Sequence, residues 1–317
     1  MVKLEGLIAV TYRCNAKCYM CNTWNYPSKV EDEIQPSHLE SLPEMKFTNI
    51  TGGEPFVRQD LEDIIKVVQP KTKRIVISTN GYFTERIIKL AEKYPWLGIR
   101  ISIEGLPKTN DELRGIRDGF DHGVRTLIEL QRMGLKDIGF GITVSDKNAK
   151  DLIPLYHLAC ALDMEFATAI VHNNYYFHKM DNVIEDKGLV AGEFKKLIHE
   201  LFKSKKPKSW FRAYFNHGIV NYVYGNKRLL PCEMGSDVFF VDPFGEIRPC
   251  NAMEESMGSL KKQKFDEIWQ SAAAVSVRAK VRKCEKNCWM VGSAAPAMKK
   301  NVLIPIKWIL ANKWASK

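Results

Sequence analysis

Three cysteines near the start of the chain have the spacing of a metal centre. Cys14, Cys18 and Cys21 fall within eight residues, in the pattern C-x3-C-x2-C. Thiolates on one short loop can converge on a single inorganic centre. A structural zinc site closes with four protein ligands, whereas an iron–sulfur cluster held by three thiolates leaves one iron open to a further ligand. The spacing therefore predicts an iron–sulfur cluster, or zinc with a distant fourth ligand.

A second set of cysteines lies in the last third of the chain. Cys232 and Cys250 bracket Asp242-Pro243-Phe244-Gly245, which is a hairpin signal, so hairpin geometry can bring them together. Cys284 and Cys288 follow a helix predicted over 265–281, at C-x3-C spacing. Four cysteines make a complete site for zinc or for an iron–sulfur cluster. Spacing alone does not choose between these two metals.

Short apolar runs alternate with helix-like segments through the first two thirds of the chain. This alternation indicates strands that pair in parallel, and six strand–helix units fit a partial (β/α)6 barrel that is open on one side. The working loops of such a barrel follow the carboxyl ends of its strands, and the first cysteine loop follows the first strand. The predicted strands are 4–11, 47–51, 74–79, 99–103, 138–144 and 166–171, and the predicted helices 85–94, 120–133 and 152–162.

Small and polar residues follow several of these strands. Gly52 and Gly53 allow close backbone approach to a ligand, and Glu54 can accept hydrogen bonds from an ammonium group. By itself this Gly-Gly-Glu-Pro stretch is also an ordinary turn. The other polar candidates at strand ends are Ser78, Asn80, Ser102, Glu104 and His172.

The cysteine loop, followed about thirty residues later by Gly-Gly-Glu-Pro at a strand end, resembles the signature of the radical S-adenosylmethionine (radical SAM) superfamily. The resemblance implies that the three cysteines hold a four-iron four-sulfur cluster whose open iron binds the methionine part of SAM. It also implies that Gly52, Gly53 and Glu54 bind the methionine amino group. Ser78, Asn80 and Ser102 would lie near the ribose, the carboxylate or the substrate. Met20 stands where the family usually has an aromatic residue near the adenine.

The last third resembles the SPASM/Twitch extension of radical SAM enzymes, through its hairpin, GEIRPC, FDEIW and a cysteine pair. Only four cysteines are available there, so the resemblance implies the Twitch form with one auxiliary four-iron cluster. The expected architecture is α/β, a partial (β/α)6 barrel with a small C-terminal α+β domain. The expected limits are 1–202 for the barrel, 203–208 for a basic linker, 209–297 for the auxiliary-cluster domain and 298–317 for a basic amphipathic helix.

The chemistry that this resemblance implies begins with an electron from a donor such as flavodoxin or ferredoxin. SAM is cleaved to a 5′-deoxyadenosyl radical, which takes a hydrogen atom from an unactivated substrate carbon. If Cys232, Cys250, Cys284 and Cys288 saturate the auxiliary cluster, that cluster can only accept an electron, which favours a net two-electron, dehydrogenase-type oxidation. Glu104 and His172 are the candidate bases. The alternatives are a radical epimerase, a peptide-modifying enzyme or, outside catalysis, a metal-binding interaction module.

The substrate expectation rests on how little chain precedes the barrel. Thirteen residues precede Cys14, so no leader-binding domain is expected, and a small or lipid-linked sugar or cyclitol ranks above a peptide. Cys160 shares a predicted helix with Leu155, Leu158 and Leu162, so we expect it to be buried as a small apolar residue. The alternative is a hydrogen-atom donor of the kind that some radical epimerases need.

The charge of the chain is uneven. Its formal net charge is +10, and lysines concentrate in 203–208 and in the last twenty residues. No nucleic-acid motif accompanies them, so no nucleic acid is expected as a partner, and no signal segment or long apolar run is present, which predicts a cytoplasmic protein. The tail 298–317 predicts either a helix docked on the barrel or a peripheral contact with the inner face of the membrane. Its candidate residues are Pro305, Ile306, Trp308, Ile309, Leu310 and Trp314, with five surrounding lysines.

Overall fold

A computed structural model describes residues 4–313 of the chain. The strands are β1 (Leu4–Ala9), β2 (Met45–Thr51), β3 (Ile75–Thr79), β4 (Gly98–Ser102), β5 (Ile138–Val144), β6 (Glu165–Ile170), β7 (Val238–Val241), β8 (Glu246–Arg248) and β9 (Gly258–Ser259). The helices are α1 (Leu61–Val68), α2 (Thr84–Lys93), α3 (Pro107–Arg114), α4 (Gly119–Arg132), α5 (Leu152–Ala161), α6 (Lys187–Lys203), α7 (Pro207–Val223), α8 (Phe265–Gln270), α9 (Ala272–Arg282), α10 (Val291–Lys300) and α11 (Leu303–Lys313).

The nine strands form one sheet in the order β6-β5-β4-β3-β2-β1-β7-β8-β9. The first six strands pair in parallel with their neighbours in the chain, which confirms the predicted parallel α/β fold. β7 then pairs in parallel with β1, and Ile8 lies opposite Val241. The C-terminal hairpin therefore extends the barrel sheet, and the turn after β7 emerges beside the cysteine loop that follows β1.

A row of isoleucines crosses the sheet and explains its register. Ile8, Ile50, Ile77, Ile99 and Ile138 are paired strand to strand, and each is at most 5% exposed. Complete burial of such a side chain stabilises the fold by about 1.5–3 kcal/mol, so a slip of one residue, which would turn the row to the opposite face, is strongly disfavoured.

The opposite face of these strands carries polar side chains. Asn49 on β2 donates from Nδ2 to Ser78 Oγ on β3 at 2.9 Å, and Arg100 on β4 pairs in register with Ser78. Because side chains alternate along a strand, the apolar row and these polar residues occupy opposite faces. This alternation presents polar groups to the barrel interior.

One local expectation, the helix predicted over 265–281, is corrected by the structure. The helix predicted over 265–281 is two helices, α8 and α9, which break at Ser271, whose hydroxyl accepts a hydrogen bond from Ala274 N at 3.1 Å and caps α9. The basic stretch 203–208 is the end of α6, a short turn and the start of α7, and these two helices pack together. It is therefore a tight turn between packed helices, and the domain limits placed there stay predictions.

The C-terminal helix is docked on the barrel. Trp308 on α11 stacks on His217 of α7 with ring centroids 4.6 Å apart and on Phe202 at 5.7 Å. Trp314 and Lys317 of the predicted tail lie outside the described residues. In the part of the chain that the structure describes, no helix is both long and apolar enough to span a membrane.

Candidate functional site

The Gly-Gly-Glu loop is joined to the cysteine loop through the backbone. The amide of Gly53 donates to Thr11 O at 2.6 Å, and that of Glu54 donates to Arg13 O at 2.9 Å. A Cβ atom on Gly53 would lie 2.3 Å from Arg13 O, and one on Gly52 would lie 2.8 Å from Thr11 O. Both glycines are therefore required because two backbones approach closely here.

A buried carboxylate, Glu33, holds the start of the cysteine loop. It is 2% exposed and accepts from Arg13 Nε at 2.9 Å, from Arg13 Nη2 at 2.8 Å and from Ser28 Oγ at 2.6 Å. The hydroxyl of Thr11 donates to the same carboxylate. Burial alone would raise the pKa of Glu33, but the hydrogen bonds from Arg13, Ser28 and Thr11 lower it. No sequence pattern indicated Glu33, because its hydrogen-bond partners lie 5 to 22 residues away in the chain.

The three thiols of the first set lie together below the surface. Burial, together with the neighbouring thiols, raises the pKa of Cys14 to about 12 and that of Cys18 to about 11. Burial likewise raises the pKa of Cys21. Thiolates in such surroundings need a cationic centre, so the donor set fits a cluster whose irons supply that charge. Within residues 4–313, no three side chains of His, Cys, Asp or Glu are arranged to hold a single metal ion.

Arg114, at the end of α3, was missed by the sequence reasoning. Its guanidinium is buried, donates from Nη1 to Glu104 Oε1 at 3.1 Å, and has Cys14 and Cys18 as electrostatic neighbours. Its Nε atom is buried without a partner in the described protein. Its carbonyl accepts from Lys17 N at 2.9 Å, so α3 also holds the cysteine loop. The Arg-Gly step at a helix end is the one local signal that could have drawn attention to it.

Glu54 is fully buried and ties the Gly-Gly-Glu loop to the end of β3. Oε1 accepts from Thr79 Oγ1 at 2.7 Å and from Phe56 N at 3.1 Å, while Oε2 accepts from Asn80 N at 2.7 Å. Asn80 in turn donates from Nδ2 to Asn15 Oδ1, inside the cysteine loop, at 2.6 Å. Burial raises the pKa of Glu54. The structure thus brings Glu54 and Asn80 into one network with the cysteine loop.

The other predicted SAM contacts occupy the same end of the barrel. Ser78 accepts from Asn49 on the neighbouring strand, and Ser102 ends β4. Met20 is buried and packs with Leu113 and Val171 in a small apolar cluster. Their contacts with SAM stay predictions.

Both candidate bases are engaged by the protein. Glu104 accepts from Arg114 on one oxygen and from Thr143 N at 2.6 Å on the other. His172 Nδ1 donates to Ile170 O at 3.0 Å, and Nε2 accepts from Asn174 Nδ2 at 3.0 Å. Burial lowers the pKa of His172, which favours the neutral ring. This geometry suits residues that position the site, and their role as bases stays a prediction.

The second cysteine set lies around the C-terminal hairpin. Cys250 is buried, and burial together with the nearby thiols of Cys232 and Cys288 raises its pKa to about 12. Arg228 has the thiols of Cys232, Cys284 and Cys288 as electrostatic neighbours. A set of four thiols beside a guanidinium fits an anionic iron–sulfur centre.

Arg228 also fixes the backbone around Cys288, although no sequence pattern indicated this arginine. Its guanidinium donates to Cys288 O and, at 2.8 Å, to Ser293 O, and it lies 5.1 Å from the ring centroid of Trp289. Its contacts span about sixty residues of chain, so no local motif could indicate them.

Residues 174–179, which we call the bridging segment, connect the two cysteine sets. On one side, the amide of Asn22, next to Cys21, donates to Phe177 O at 2.8 Å. On the other side, the amide of Tyr176 donates to the carbonyl of Asn251, next to Cys250, at 3.0 Å. Two backbone hydrogen bonds therefore link the loops that carry the two sets.

Cys160 does not take part in this site. It is exposed on α5, so the expectation that it is a buried apolar residue is wrong. Its neighbours in the helix fill the core from the opposite face, with Leu155 fully buried.

Two family models match the chain. One, described as the radical SAM superfamily, matches residues 8–159, and one, described as an iron–sulfur cluster-binding domain (SPASM), matches residues 232–289. The chain belongs to the radical SAM superfamily. Its cofactors are therefore SAM, the four-iron four-sulfur cluster that binds SAM, and auxiliary iron–sulfur clusters in the SPASM domain.

Relatives of known activity are distant. The Fe-coproporphyrin III synthase of Methanosarcina barkeri is 31% identical over 161 residues, which cover 47% of this radical SAM chain and 39% of that protein. The AdoMet-dependent heme synthase of the same organism is 24% identical over 303 residues, covering 86% and 84%. The chain therefore spans well under half of the first relative and most of the second.

A solved structure shares the fold over most of the chain. Streptococcus suis SuiB bound to precursor peptide SuiA superposes with a TM-score of 0.68 at 14% identity, covering 90% of this chain and 72% of that one. At this identity the similarity shows the common radical SAM and SPASM architecture.

Proposed function

We propose that this radical SAM enzyme removes a hydrogen atom and then an electron from a substrate bound between the two cysteine sets. When bound, SAM and its cluster supply the 5′-deoxyadenosyl radical that takes the hydrogen atom. An auxiliary cluster held by the second cysteine set would accept one electron from the substrate, and the protein would take one proton, so the net change of the substrate would be the loss of two hydrogens. The observation that carries the proposal is the direct connection of the two sets through the β1–β7 pair and the bridging segment.

The described side chains support distinct roles in this scheme. Cys14, Cys18 and Cys21 hold the SAM-binding cluster, and Arg114 contributes a buried positive charge beside them, where a carboxylate such as that of SAM would find a partner. Cys232, Cys250, Cys284 and Cys288 hold the auxiliary cluster with four thiolates, which leaves no iron for the substrate. Glu104 and His172 are the proposed acceptors of the proton.

The proposed substrate is a small or lipid-linked sugar or cyclitol with an oxidisable alcohol carbon. The second candidate is a peptide, and the observation that favours it is the shared fold with SuiB, a structure bound to a precursor peptide. For either substrate, the mass of the product shows which reaction takes place. Alcohol oxidation lowers the substrate mass by two hydrogens and consumes SAM stoichiometrically, whereas epimerisation leaves the mass unchanged.

The first experiment is SAM cleavage by the reduced, anaerobically reconstituted protein. Release of 5′-deoxyadenosine from SAM alone supports the enzyme, and its absence, with clusters intact, would favour a metal-binding interaction module. Product masses with candidate alcohols and peptides then test the oxidation. A product of unchanged mass and inverted stereochemistry would overturn it.

We also infer that the enzyme contacts an anionic membrane surface through α11. The helix docks through Trp308 and Ile309, yet its outer side leaves apolar side chains in solvent, with Leu303 68% and Leu310 55% exposed. Surface helices usually present polar residues outward, so an apolar outer face indicates an interface. The remaining exposed apolar residues of this face are Ile304 and Ile306.

A basic surface adjoins this apolar face. Lys313, at the end of α11, lies with Nζ 3.4 Å from Phe202 O and 3.5 Å from the ring centroid of Trp210, at the turn between α6 and α7. The exposed lysines of that turn thus lie beside the helix, although Lys208 pairs with Glu165 at 2.7 Å. Apolar residues next to lysines suit the interface of a membrane with anionic lipids.

Cosedimentation with liposomes tests the membrane contact. The wild-type protein should sediment with phosphatidylserine-containing vesicles, and less so at high salt because surface charge is screened. Replacing Leu303→Glu and Leu310→Glu together should abolish sedimentation, while Val275→Glu on α9, where the side chain is also exposed, should not. Equal sedimentation of all three proteins would overturn the proposal, as would a wild type that stays in the supernatant.

A further inference from the structure

The bridging segment is a closed turn that is held at both ends. Asn174 N donates to Lys179 O at 3.1 Å, and Asn174 Oδ1 accepts from Phe177 N at 2.7 Å. Asn22 reaches the segment a second time, because its Nδ2 donates to His178 O at 3.2 Å. The position of Tyr176 within this turn is therefore set by contacts with both cysteine loops.

Tyr176 has a buried hydroxyl that the described residues leave without a hydrogen bond. The residue is 3% exposed, and its Oη atom has no hydrogen-bond partner among the described residues. Its ring packs on Tyr12 at 5.3 Å between centroids and edge-to-face on Phe240 at 5.0 Å. Buried hydroxyls without a partner are costly, so one that is retained here points to an acceptor that a bound group provides.

The surroundings of this hydroxyl indicate which group that is. The ring contacts Tyr12, two residues before Cys14. Asn22, which follows Cys21, donates to the carbonyl of Phe177, the residue after Tyr176. The turn that carries the ring is therefore attached at both ends of the first cysteine loop. The thiols of Cys21 and Cys14 are near enough to act electrostatically on the phenol, as are Tyr12 and Asp242. A cluster held by these cysteines would bring sulfur atoms, which accept hydrogen bonds, into the same region.

We propose that the Tyr176 hydroxyl donates a hydrogen bond to a sulfur of the cluster held by Cys14, Cys18 and Cys21 and raises the reduction potential of that cluster. The inference rests on the proposed function, in which these cysteines hold the SAM-binding cluster. The reduced cluster carries one more negative charge than the oxidised one, so a donor stabilises the reduced form more. The bond would make the cluster easier to reduce by the electron donor.

The test replaces Tyr176→Phe, which removes one oxygen and keeps the ring between Tyr12 and Phe240. A redox titration of the reconstituted full-length protein, followed by electron paramagnetic resonance without SAM or substrate, should show a more negative potential for this cluster. The matched control is Tyr214→Phe, a buried tyrosine on α7 that packs on Trp308 at 5.5 Å and should leave the potential unchanged. Iron content should be that of the wild type in both variants.

A second substitution gives a result of the opposite sign. Incorporation of 3-fluorotyrosine at position 176 makes the phenol a stronger donor, so the potential should move in the positive direction. If Tyr176→Phe fails to retain the cluster, this substitution still decides the question. Equal potentials for the wild type and the substituted proteins would overturn the inference, and so would a change in SAM affinity or KM with no change in potential.

Failure of the underlying function would look different. If replacing all three cysteines of the first set by Ala leaves the iron content unchanged, these cysteines are not the cluster ligands and the proposed function fails. If that replacement halves the iron content but Tyr176→Phe leaves the reduction potential unchanged, only the inference about Tyr176 fails.

Discussion

The carboxylate of Glu54 connects three parts of the site. It accepts hydrogen bonds from the end of β3, its own loop contacts the backbone of the cysteine loop, and Asn80 links the two through Asn15. These bonds explain why a carboxylate is buried there despite the cost of desolvation. They leave one lone pair of Oε2 for a further donor, such as the ammonium group of SAM.

The first prediction concerns the substitution Glu54→Gln. The amide would turn a donor toward groups that already donate and would remove the negative charge, so SAM affinity should fall by about 1.5–3 kcal/mol, the range for hydrogen bonds to charged groups. Isothermal titration calorimetry of the reconstituted protein measures this loss. Glu62→Gln, at a surface ion pair with Lys93, serves as the control. Unchanged SAM affinity in Glu54→Gln would mean that the carboxylate only holds the loop.

The second prediction concerns the buried ion pair of Glu104 and Arg114. Arg114→Met leaves a buried carboxylate without its partner, so the free energy of unfolding should fall by about 3–5 kcal/mol. Adding Glu104→Gln removes that uncompensated charge and should recover part of the loss. Urea unfolding of the single and double variants measures the coupling energy between Glu104 and Arg114. Strictly additive changes in the free energy of unfolding would show that the two side chains do not stabilise each other.

At the level of the secondary-structure elements, Asp137 sets the start of the β4–β5 pair. Its carboxylate accepts from Arg74 Nε at 2.7 Å and from Arg100 Nη2 at 2.5 Å, and its carbonyl accepts from Ile99 N at 2.9 Å. A Cβ atom on Gly98 would lie 2.7 Å from Asp137 Oδ2, so the strand begins with a glycine for lack of space. Burial alone would raise the pKa of Asp137, but the hydrogen bonds from Arg74 and Arg100 hold it at about 2.

The third prediction follows from this lowered pKa. Since the folded pKa lies below the unfolded value of about 3.9, the stabilisation is complete above that value and is lost as pH falls through about 2. Asp137→Asn should therefore lower the free energy of unfolding at pH 6 by at most about 2 kcal/mol, after allowance for partial exposure.

Denaturant unfolding of both proteins between pH 6 and pH 3 measures the effect. The difference between wild type and Asp137→Asn should shrink as the pH falls below about 4. A difference that does not depend on pH would contradict the assignment of the stabilisation to the ionised carboxylate.

At the scale of the whole molecule, the segments that carry the two cysteine sets are connected to one continuous sheet. β7 pairs with β1 and does not start a separate sheet. In addition, Ile34 N, between β1 and β2, donates to Pro243 O, in the turn after β7, at 2.6 Å. Movement of one set relative to the other would break this strand pair and both hydrogen bonds of the bridging segment. We therefore expect the two clusters to keep a fixed separation during turnover.

The fourth prediction concerns the metal content of the whole protein. With one four-iron cluster on each set, anaerobic reconstitution should give about eight irons per chain and a broad visible absorption from thiolate–iron bonds. Replacing Cys14, Cys18 and Cys21 by Ala should halve the iron and abolish SAM cleavage. Replacing Cys232, Cys250, Cys284 and Cys288 should remove the other half, and stoichiometric zinc in protein purified without air would contradict the auxiliary cluster.

The sequence by itself determined the features that are local in the chain. The cysteine spacings, the Gly-Gly-Glu-Pro stretch and the six apolar runs identified the family, the parallel barrel and the end of the barrel that carries the site. β5 has the predicted bounds, because period-two patterns and turn residues act over a few neighbouring residues. The break at Ser271 was missed because an apolar pattern at helical spacing runs through it.

Only the tertiary structure decided which distant groups meet. Glu33 and Arg228 have no local motif, since a buried charge is stabilised by partners that sheet pairing and helix packing bring from elsewhere in the chain. The same holds for Arg114 beside the first thiols and for the bridging segment around Tyr176, whose hydrogen-bond partners Asn22 and Asn251 are separated by more than two hundred residues. Spacing along the chain sets what one loop can bind, whereas the register of β1 with β2 and β7 determines which loops face one another.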